Sequence, residues 1–209
     1  PEVIEKSKRE LGQMEAVLGN DATIDSLAND ILSHYENYRA NLLTGKAMVV
    51  AYSRAIAMKI YHRILELRPG WKEKVKVVMT ESNKDPEEWR AVIGNKRRRD
   101  ELAKEFKDND SEMKIAIVVD MWLTGFDVPS LATMYVYKPM QGHNLMQAIA
   151  RVNRVFQDKE GGLIVDYVGI AAALKQAMND YTARDKKNYG DTDIAKVAYP
   201  KFLEKLSVC

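Results

Sequence analysis

The sequence is nearly free of cysteine, since its one cysteine is the last residue, Cys209. A single cysteine can form neither an internal disulfide nor a cysteine-based zinc site, and we expect a reducing compartment, the cytoplasm. Long hydrophobic runs are also missing: none approaches the roughly 20 residues of a membrane-spanning helix, so no membrane contact is expected. The chain lacks a signal peptide and begins with Pro1 rather than methionine, which indicates a fragment of a longer protein.

An excess of one charge sign is absent as well. The 209 residues include 32 Lys and Arg against 30 Asp and Glu, a formal net charge of +2. A chain with this balance is not a general binder of nucleic acid, so any DNA contact must come from local clusters of basic residues. A hydrophobic content of 46% and a charged content of 30% are typical of a globular domain.

A P-loop, the glycine-rich segment that holds nucleotide phosphates, is not found in the sequence. The nearest candidate, Gly45-Lys46, is followed by Ala47, lacks the upstream glycine and precedes an apolar stretch rather than a helix. No acidic cluster of the Walker B kind stands in a suitable context, and the histidines have no metal-ligand spacing. We therefore expect any catalytic magnesium site to lie outside this chain.

Five short apolar stretches alternate with segments of helical periodicity. The predicted strands are residues 47–52, 75–79, 115–119, 133–137 and 163–165. Near-continuous apolar strands that alternate with helices predict an α/β fold with a mainly parallel sheet and flanking helices. Ligands of such sheets bind beyond the carboxyl ends of the strands, which directs attention to residues 52–55, 79–86, 120–131, 138–144 and 166–169.

Several helix starts are marked by residues that cap helices well. Asp21 or Thr23 is expected to cap a helix over residues 24–35, and Ser53 to cap the helix after the first strand. Asp85 followed by Pro86 predicts another helix start, with the proline at the first helical position. Residues 90–108 are mostly charged, with one apolar edge formed by Leu102, Ala103 and Phe106, and a further helix is expected after residue 169.

A helix over residues 144–156 separates polar from apolar side chains. Its apolar stripe comprises Leu145, Ile149, Val152 and Phe156, and its polar stripe Gln147, Arg151 and Arg154. The polar stripe is either a solvated face or a surface that binds phosphate, because two guanidiniums one turn apart can bind γ-phosphate oxygens. His143 lies close enough to this stripe to be a further candidate.

The loop over residues 120–130 contains a second set of candidates. Gly125 permits a backbone shape that a side chain would hinder, and Asp127 offers a carboxylate that could bind ribose hydroxyls. Taken alone, the loop could equally be an ordinary turn between strands. Its aromatic residues, Trp122 and Phe126, could pack into the core or support the loop.

These segments resemble known sequence motifs. Residues 118–129 resemble motif V of superfamily 2 helicases, residues 147–154 resemble motif VI with Ala150 in place of its glycine, and residues 49–54 resemble motif IV. More specifically, residues 120–129, 135–140, 143–156 and 162–169 are similar to the R (motor) subunit of type I restriction enzymes. The resemblance extends over roughly residues 24–182.

The resemblance implies two groups of site residues. The first would contact ATP, held with Mg²⁺ mainly by a missing first lobe: Gly125, Asp127, Gln147, Arg151 and Arg154, with both arginines catalytic. The second would lie along DNA: Ser53, Arg54, Thr80, Asp120 and Thr124. Thr124 occupies a place where several helicase families have arginine.

The resemblance also implies a role for the chain. It would be the second RecA-like lobe of a two-lobe motor, with a helical lead-in over residues 1–40, the lobe over 41–168 and the start of a helical region over 169–209. The parent would be an ATP-dependent deoxyribonuclease that translocates double-stranded DNA and works with modification and specificity subunits. Two alternatives stay open: the second lobe of another superfamily 2 motor, or a non-catalytic protein-docking module. The fragment alone is expected to be inactive.

A basic run at residues 96–99, Lys-Arg-Arg-Arg, also has two interpretations. It is a solvated helix face that pairs with nearby acids such as Glu101, or a set of phosphate contacts along DNA. Sequence alone does not separate them.

Overall fold

A single parallel sheet forms the centre of the protein. The computed structural model describes residues 11–157, 159 and 161–169. The sheet has five strands in the order β2-β3-β1-β4-β5, and every neighbouring pair is parallel. The strands are β1 (Ala47–Ala51), β2 (Val75–Val78), β3 (Ile115–Val118), β4 (Thr133–Tyr137) and β5 (Leu163–Asp166). All five predicted strands are confirmed, with ends that differ by at most one residue.

Helices cover both faces of this sheet. They are α1 (Asp21–His34), α2 (Arg54–Leu67), α3 (Glu87–Ile93), α4 (Lys96–Lys107) and α5 (Gly142–Val152). A π-helical turn, Tyr35–Arg39, extends α1, and a 3₁₀ turn, Pro69–Trp71, follows α2. Residues 11–18 are also helical. The helix predicted after residue 169 lies outside the described residues.

The core consists of two apolar layers separated by the sheet. Successive side chains of β1 point to opposite faces, so Val49 packs with α1 and α2 while Met48 and Val50 pack with α4 and α5. All five residues of β1 are buried, as expected for a central strand covered on both sides. The predicted α/β fold with flanking helices is confirmed. Among the described residues, every helix falls short of the length and hydrophobicity of a membrane span.

Two of the predicted helix caps, at the starts of α1 and α3, are wrong. Asn20, and not Asp21 or Thr23, caps α1: its side chain accepts the N–H of Ala22 at 3.0 Å. Asp21 instead binds Lys59 of α2 at 2.8 Å. The division of the chain at residues 40 and 168 stays a prediction.

The helix expected to start at Asp85 begins one position later than predicted. Pro86, not Asp85, occupies the capping position of α3, because the Asp85 carboxylate binds Arg54 and the N–H of Ser82. The capping role of Ser53 is confirmed, since its hydroxyl accepts the N–H of Ile56 at 3.2 Å.

Helix α5 is shorter than predicted at its C-terminus. It ends at Val152, and Asn153 closes it instead of continuing the helix to residue 156. The Asn153 side chain accepts the N–H of Gly162 at 3.1 Å, and Phe156 forms an isolated antiparallel bridge with Lys159. The chain therefore turns back towards β5 directly after the helix. Arg154 lies in this turn and not on the helical face where the sequence pattern placed it.

Candidate functional site

Two residues of the predicted ATP group meet in the structure. Arg154 Nη2 lies 3.0 Å from Asp127 Oδ2, and the side chains are 56% and 51% exposed. The ion pair joins the loop after β3 to the turn after α5. Because both groups are half exposed, their polar atoms remain accessible to a ligand.

Arg151 lies beside this pair and is less exposed. Its Nε atom is buried and has no hydrogen-bond partner among the described residues. Burial lowers the pKa of the Arg151 guanidinium, the Asp127 carboxylate raises it, and Arg154 lowers it further. Arginine still carries its charge at neutral pH. The cluster Asp127, Arg151 and Arg154, here called the arginine site, therefore has one negative and two positive groups, with an unused donor on Arg151.

Gln147 lies one helical turn before Arg151 on α5. Its Nε2 is 2.6 Å from Nε2 of His143 in the first turn of the helix. Residues four apart share one helix face, so Gln147 and Arg151 lie on the same side of α5. The structure thus places the predicted glutamine along the same surface as the arginine site, and gives it His143 as a neighbour.

The loop that carries Asp127 has an unusual backbone supported by aromatic packing. Gly125 has φ +70°, and the buried Trp122 has φ +66°, a conformation that side chains rarely adopt. The Trp122 ring stacks on Phe126 at 4.1 Å and on Phe106 of α4 at 5.5 Å, measured between centroids. The aromatic residues therefore do both things considered from the sequence: they join the core and they support the loop.

The residues predicted to contact DNA follow the carboxyl ends of the strands, and several are bound within the protein. Ser53 donates its hydroxyl to Glu15 at 2.5 Å while it caps α2. Arg54 donates to the carbonyl of Thr80 and to Asp85 Oδ2. The Arg54 side chain remains 30% exposed. It is therefore held in one orientation rather than extended into solvent.

Asp120 and Thr124 lie further along the same region of the chain. Lys138 Nζ lies 2.5 Å from Asp120 Oδ1, and the Asp120 side chain is 80% exposed. Thr124 is also exposed. The ion pairs Lys138–Asp120 and Arg54–Asp85 thus both lie near the carboxyl ends of the strands.

The two groups of candidates lie at opposite ends of the strands. Here, the carboxyl edge and the amino edge of the sheet are the sides formed by the carboxyl ends and by the amino ends of its strands. The Asn153–Gly162 hydrogen bond places the end of α5 beside the amino end of β5, and Arg154 follows directly. The loop after β3 therefore runs from the carboxyl edge, at Asp120, to the amino edge, where Asp127 meets Arg154. The arginine site thus lies towards the amino ends of the strands, because α5 runs antiparallel to the strands, and where a ligand binds stays a prediction.

A buried lysine near the arginine site was not identified from the sequence. Lys159 is 6% exposed, and its Nζ donates to the carbonyls of Pro129 and Leu131, each at 2.9 Å. It stands in a polar segment, where a lysine is ordinarily exposed. No signal in the sequence indicates its burial.

The basic run at the start of α4 is partly paired with acids of the same helix. Arg97 Nε lies 3.1 Å from Glu101 Oε1, and Arg98 Nη1 lies 2.9 Å from Glu105 Oε1. The Arg97 side chain is 88% exposed. These contacts favour the solvated-face interpretation for Arg98 and leave Arg97 in contact with solvent.

Comparisons with known proteins give a consistent result. Residues 91–169 match the family described as domain 3 of type I restriction enzyme subunit R. The chain is 47% identical over 189 residues to the relative named as the type I restriction enzyme MjaIXP endonuclease subunit, from Methanocaldococcus jannaschii; the match covers 90% of this chain and 18% of the relative. It is 42% identical over 211 residues to the type I restriction enzyme HindI endonuclease subunit of Haemophilus influenzae, covering 97% and 20%. The chain spans about a fifth of the length of these relatives.

A solved structure supports the fold. A fragment of an HsdR subunit of a type I restriction enzyme from Vibrio vulnificus is similar with a TM-score of 0.58 and 16% identity, over 78% of this chain and 30% of that chain. At this identity the likeness concerns the fold alone. Together with the parallel sheet between two helical layers, it confirms the predicted α/β, RecA-like fold.

Proposed function

Because the chain belongs, over the length that it shares with them, to the R subunits of type I restriction enzymes, we propose that it is the motor lobe that completes their ATP site. The observation that carries the proposal is the arginine site. Arg154 pairs with the carboxylate of Asp127 at an exposed surface, Arg151 lies beside the pair, and its buried Nε has no partner among the described residues. Such a surface suits a polyanion brought by a neighbouring domain.

The arginine site fits the phosphate end of ATP. Arg154 would exchange its contact with Asp127 for γ-phosphate oxygens, and Arg151 would bind beside it. ATP with Mg²⁺, held mainly by the first lobe, would supply the phosphoryl group that is transferred to water. The arginines would stabilise the charge that develops in the transition state, an effect of about 10³–10⁵ in rate for an arginine finger.

The remaining candidates take supporting roles in this proposal. Asp127, released from Arg154, would accept a hydrogen bond from a ribose hydroxyl, and Gly125 would allow the loop to approach the nucleotide. Gln147 would bind in the same cleft from α5. Although the whole chain has a net charge of only +2, the arginine site would be locally positive, because both arginines would face the phosphates.

DNA would follow the other edge of the sheet. Ser53, Arg54 and Thr80 would lie along the backbone of the duplex, with Asp120 and Thr124 close by. Opening and closing of the lobe against its partner lobe would move this edge once per ATP cycle. The parent would thereby translocate double-stranded DNA before cleavage by a nuclease domain elsewhere in the complex, together with modification and specificity subunits.

The proposal is tested with Arg154→Ala in the full-length R subunit, assembled with its partner subunits. DNA-stimulated ATP hydrolysis should fall by about 10²-fold or more while the melting temperature stays unchanged. Lys72→Ala, which removes an exposed cation that belongs to none of the candidate sites, is the control and should leave turnover unchanged.

Two results would contradict the proposal. Near-normal turnover by Arg154→Ala would mean that the arginine site is a solvated or protein-docking surface. Substantial magnesium-dependent hydrolysis by the purified 209-residue chain would show that a complete ATP site lies within it, contrary to the expected division between two lobes.

A further inference from the structure

Lys159 is a buried cation whose contacts are backbone carbonyls. Its side chain is almost inaccessible, with 6% of the residue exposed. The ammonium donates to Pro129 O and to Leu131 O, both at 2.9 Å. Burial lowers the pKa of Lys159 to about 8. Desolvation of an ammonium opposes folding, so these two hydrogen bonds must hold the charge in a position that an apolar residue could not reproduce.

The lysine connects the two chain segments that form the arginine site. Pro129 and Leu131 are at the exit of the loop that carries Asp127. Lys159 itself is in the turn that carries Arg154, where its N–H donates to Phe156 O at 2.9 Å and closes the turn. The side chain of Lys159 therefore spans the gap between the two segments.

The Asp127–Arg154 ion pair is a weak connection by comparison. Both of its side chains are about half exposed, and exposed pairs contribute little because water screens them. In addition, Arg154 lies beyond the end of α5, so the helix does not fix its backbone. The apolar core also joins these segments, through the buried residues Val128, Leu131 and Val152. Lys159, in contrast, adds hydrogen bonds of fixed direction between the two segments.

We propose that Lys159 is a positioning residue, which fixes the turn of Arg154 against the loop of Asp127 and thereby orients Arg154 towards the nucleotide. The catalytic consequence rests on the proposed function, whereas the geometric one does not. Lys159 itself touches neither nucleotide nor DNA in this proposal. Its action is exerted through the backbone of residues 129–131.

The geometric part is tested by thiol cross-linking in the 209-residue chain. Asp127→Cys and Arg154→Cys are combined with Cys209→Ser, and a bismaleimide with a spacer about as long as the Arg–Asp ion pair links the two thiols, because the ion pair joins the ends of long side chains and a direct disulfide would need a closer approach. The rate of intramolecular cross-linking reports how well the two segments are held at the spacing of the ion pair. Adding Lys159→Met should slow this rate by about tenfold, because loosening the segments lowers the effective concentration of one thiol at the other. Lys159→Arg, which keeps the charge and the donors, should restore much of the rate.

The matched control is Lys84→Met, which removes an exposed lysine from the loop before α3. It should leave the cross-linking rate unchanged. Thermal melts of each variant confirm that the chain is folded at the temperature of the assay. An equal rate in the presence and absence of Lys159 would overturn the proposal.

The catalytic part is tested by a double-mutant cycle in the full-length R subunit. Lys159→Met should lower kcat by about 10–100-fold, the loss expected when a catalytic group is misplaced by about 1 Å. In the Arg154→Ala background the same change should have no further effect, because Lys159 acts through Arg154. Equal losses in both backgrounds would indicate a general structural role and overturn the positioning role.

The two tests separate this inference from the proposed function. If Arg154→Ala leaves turnover normal, the proposed function fails, and the cross-linking rate alone decides whether Lys159 fixes the two segments. If Arg154→Ala abolishes turnover and Lys159→Met changes neither the cross-linking rate nor kcat, the proposed function stands and the role of Lys159 is refuted.

Discussion

Arg54 and Asp85 form an ion pair that ties the start of α2 to the loop after β2. Arg54 Nη2 lies 2.5 Å from Asp85 Oδ2, and the Asp85 side chain is only 5% exposed. The N–H of Ser82 donates to the same oxygen at 2.7 Å. Burial raises the pKa of Asp85, but the hydrogen bonds from Arg54 and Ser82 and the charge of Arg54 lower it by more, so the net pKa is below its ordinary value.

The first prediction concerns the pH dependence of this pair. Asp85→Asn should lower the free energy of unfolding at pH 7 by about 1–3 kcal/mol, the cost of weakening a hydrogen bond to a charged group. Because the folded-state pKa is depressed, the contribution of Asp85 is present above the unfolded value of 3.8 and is lost as the pH falls through the folded value.

Urea unfolding of the wild type and Asp85→Asn between pH 7 and pH 3 measures this dependence. The difference between the two proteins should be constant from pH 7 to about pH 5 and should shrink below about pH 4. A difference that stays the same down to pH 3 would mean that the ionised form of Asp85 is not what stabilises the loop.

The second prediction separates the stability of the arginine site from its function. Asp127→Asn should change the free energy of unfolding by no more than about 1 kcal/mol, because the ion pair with Arg154 is exposed. In the full-length R subunit, kcat/KM for ATP should fall by about 10–100-fold, which corresponds to one lost hydrogen bond from a ribose hydroxyl to a carboxylate.

A nucleotide without ribose hydroxyls provides the control. With 2′,3′-dideoxy-ATP, wild type and Asp127→Asn should have the same kcat/KM, since the contact is missing in both. Asp110→Asn, a change to an exposed acid in the loop before β3, should behave as the wild type with either nucleotide. A defect of Asp127→Asn that persists with the dideoxy nucleotide would place Asp127 elsewhere than at the ribose.

The third prediction concerns Trp122 and its left-handed backbone. Trp122→Ala should lower the free energy of unfolding by about 3–5 kcal/mol, because it removes the stack with Phe126 and Phe106 from the core. Glycine adopts the φ of +66° without strain, so Trp122→Gly should be more stable than Trp122→Ala by about 1 kcal/mol. At an ordinary position the order would be the reverse.

Denaturant unfolding followed by far-UV circular dichroism tests this order, since the substitution removes one of the three tryptophans that fluorescence would report. Ala57, a buried helical residue near the start of α2, serves as the comparison site, where Ala57→Gly should be destabilising. Equal stability of the glycine and alanine variants at position 122 would indicate that the backbone relaxes when the ring is removed.

The strands were predictable because a parallel strand covered on both faces must be apolar throughout. Residues 47–51 and 115–118 are short, uninterrupted apolar runs, and the burial of β1 and β3 is complete. The candidate residues of the arginine site were identified from local patterns in the same way. Their grouping, however, depends on the direction of α5 across the sheet, which no local pattern specifies.

The errors arise where one side chain makes a distant contact. Asn153 could have continued α5, but its hydrogen bond to Gly162 ends the helix and moves Arg154 into a turn. Asp85 precedes a proline, as a helix cap often does, yet its side chain binds Arg54, which is far away in the sequence. Lys159 stands in a polar segment, where lysine is ordinarily exposed, but its contacts with the loop before β4 bury it. Such contacts are decided by tertiary packing, which local propensity does not include.

The fourth prediction concerns residues 96–99 in DNA binding. Arg98 is bound by Glu101 and Glu105 at 3.5 Å and 2.9 Å, whereas Arg97 pairs with Glu101 and is largely exposed. Each phosphate neutralised by a protein cation contributes about 0.9 to the slope of log K against log salt concentration. Replacing the four residues by alanine should therefore reduce the slope for the full-length R subunit by about 1–3 if this face contacts the duplex.

A matched substitution tests whether the acids of α4 compete with DNA for these cations. Glu101→Gln together with Glu105→Gln would release Arg98 and Arg97 from their intrahelical partners without removing any positive charge. Phosphate contact then predicts a slope that is steeper than that of the wild type, in the direction opposite to the alanine variant. Alanine preserves the helix, so far-UV circular dichroism should be unchanged. If neither variant alters the slope, the basic run is a solvated face, and the DNA path must lie at the carboxyl edge alone.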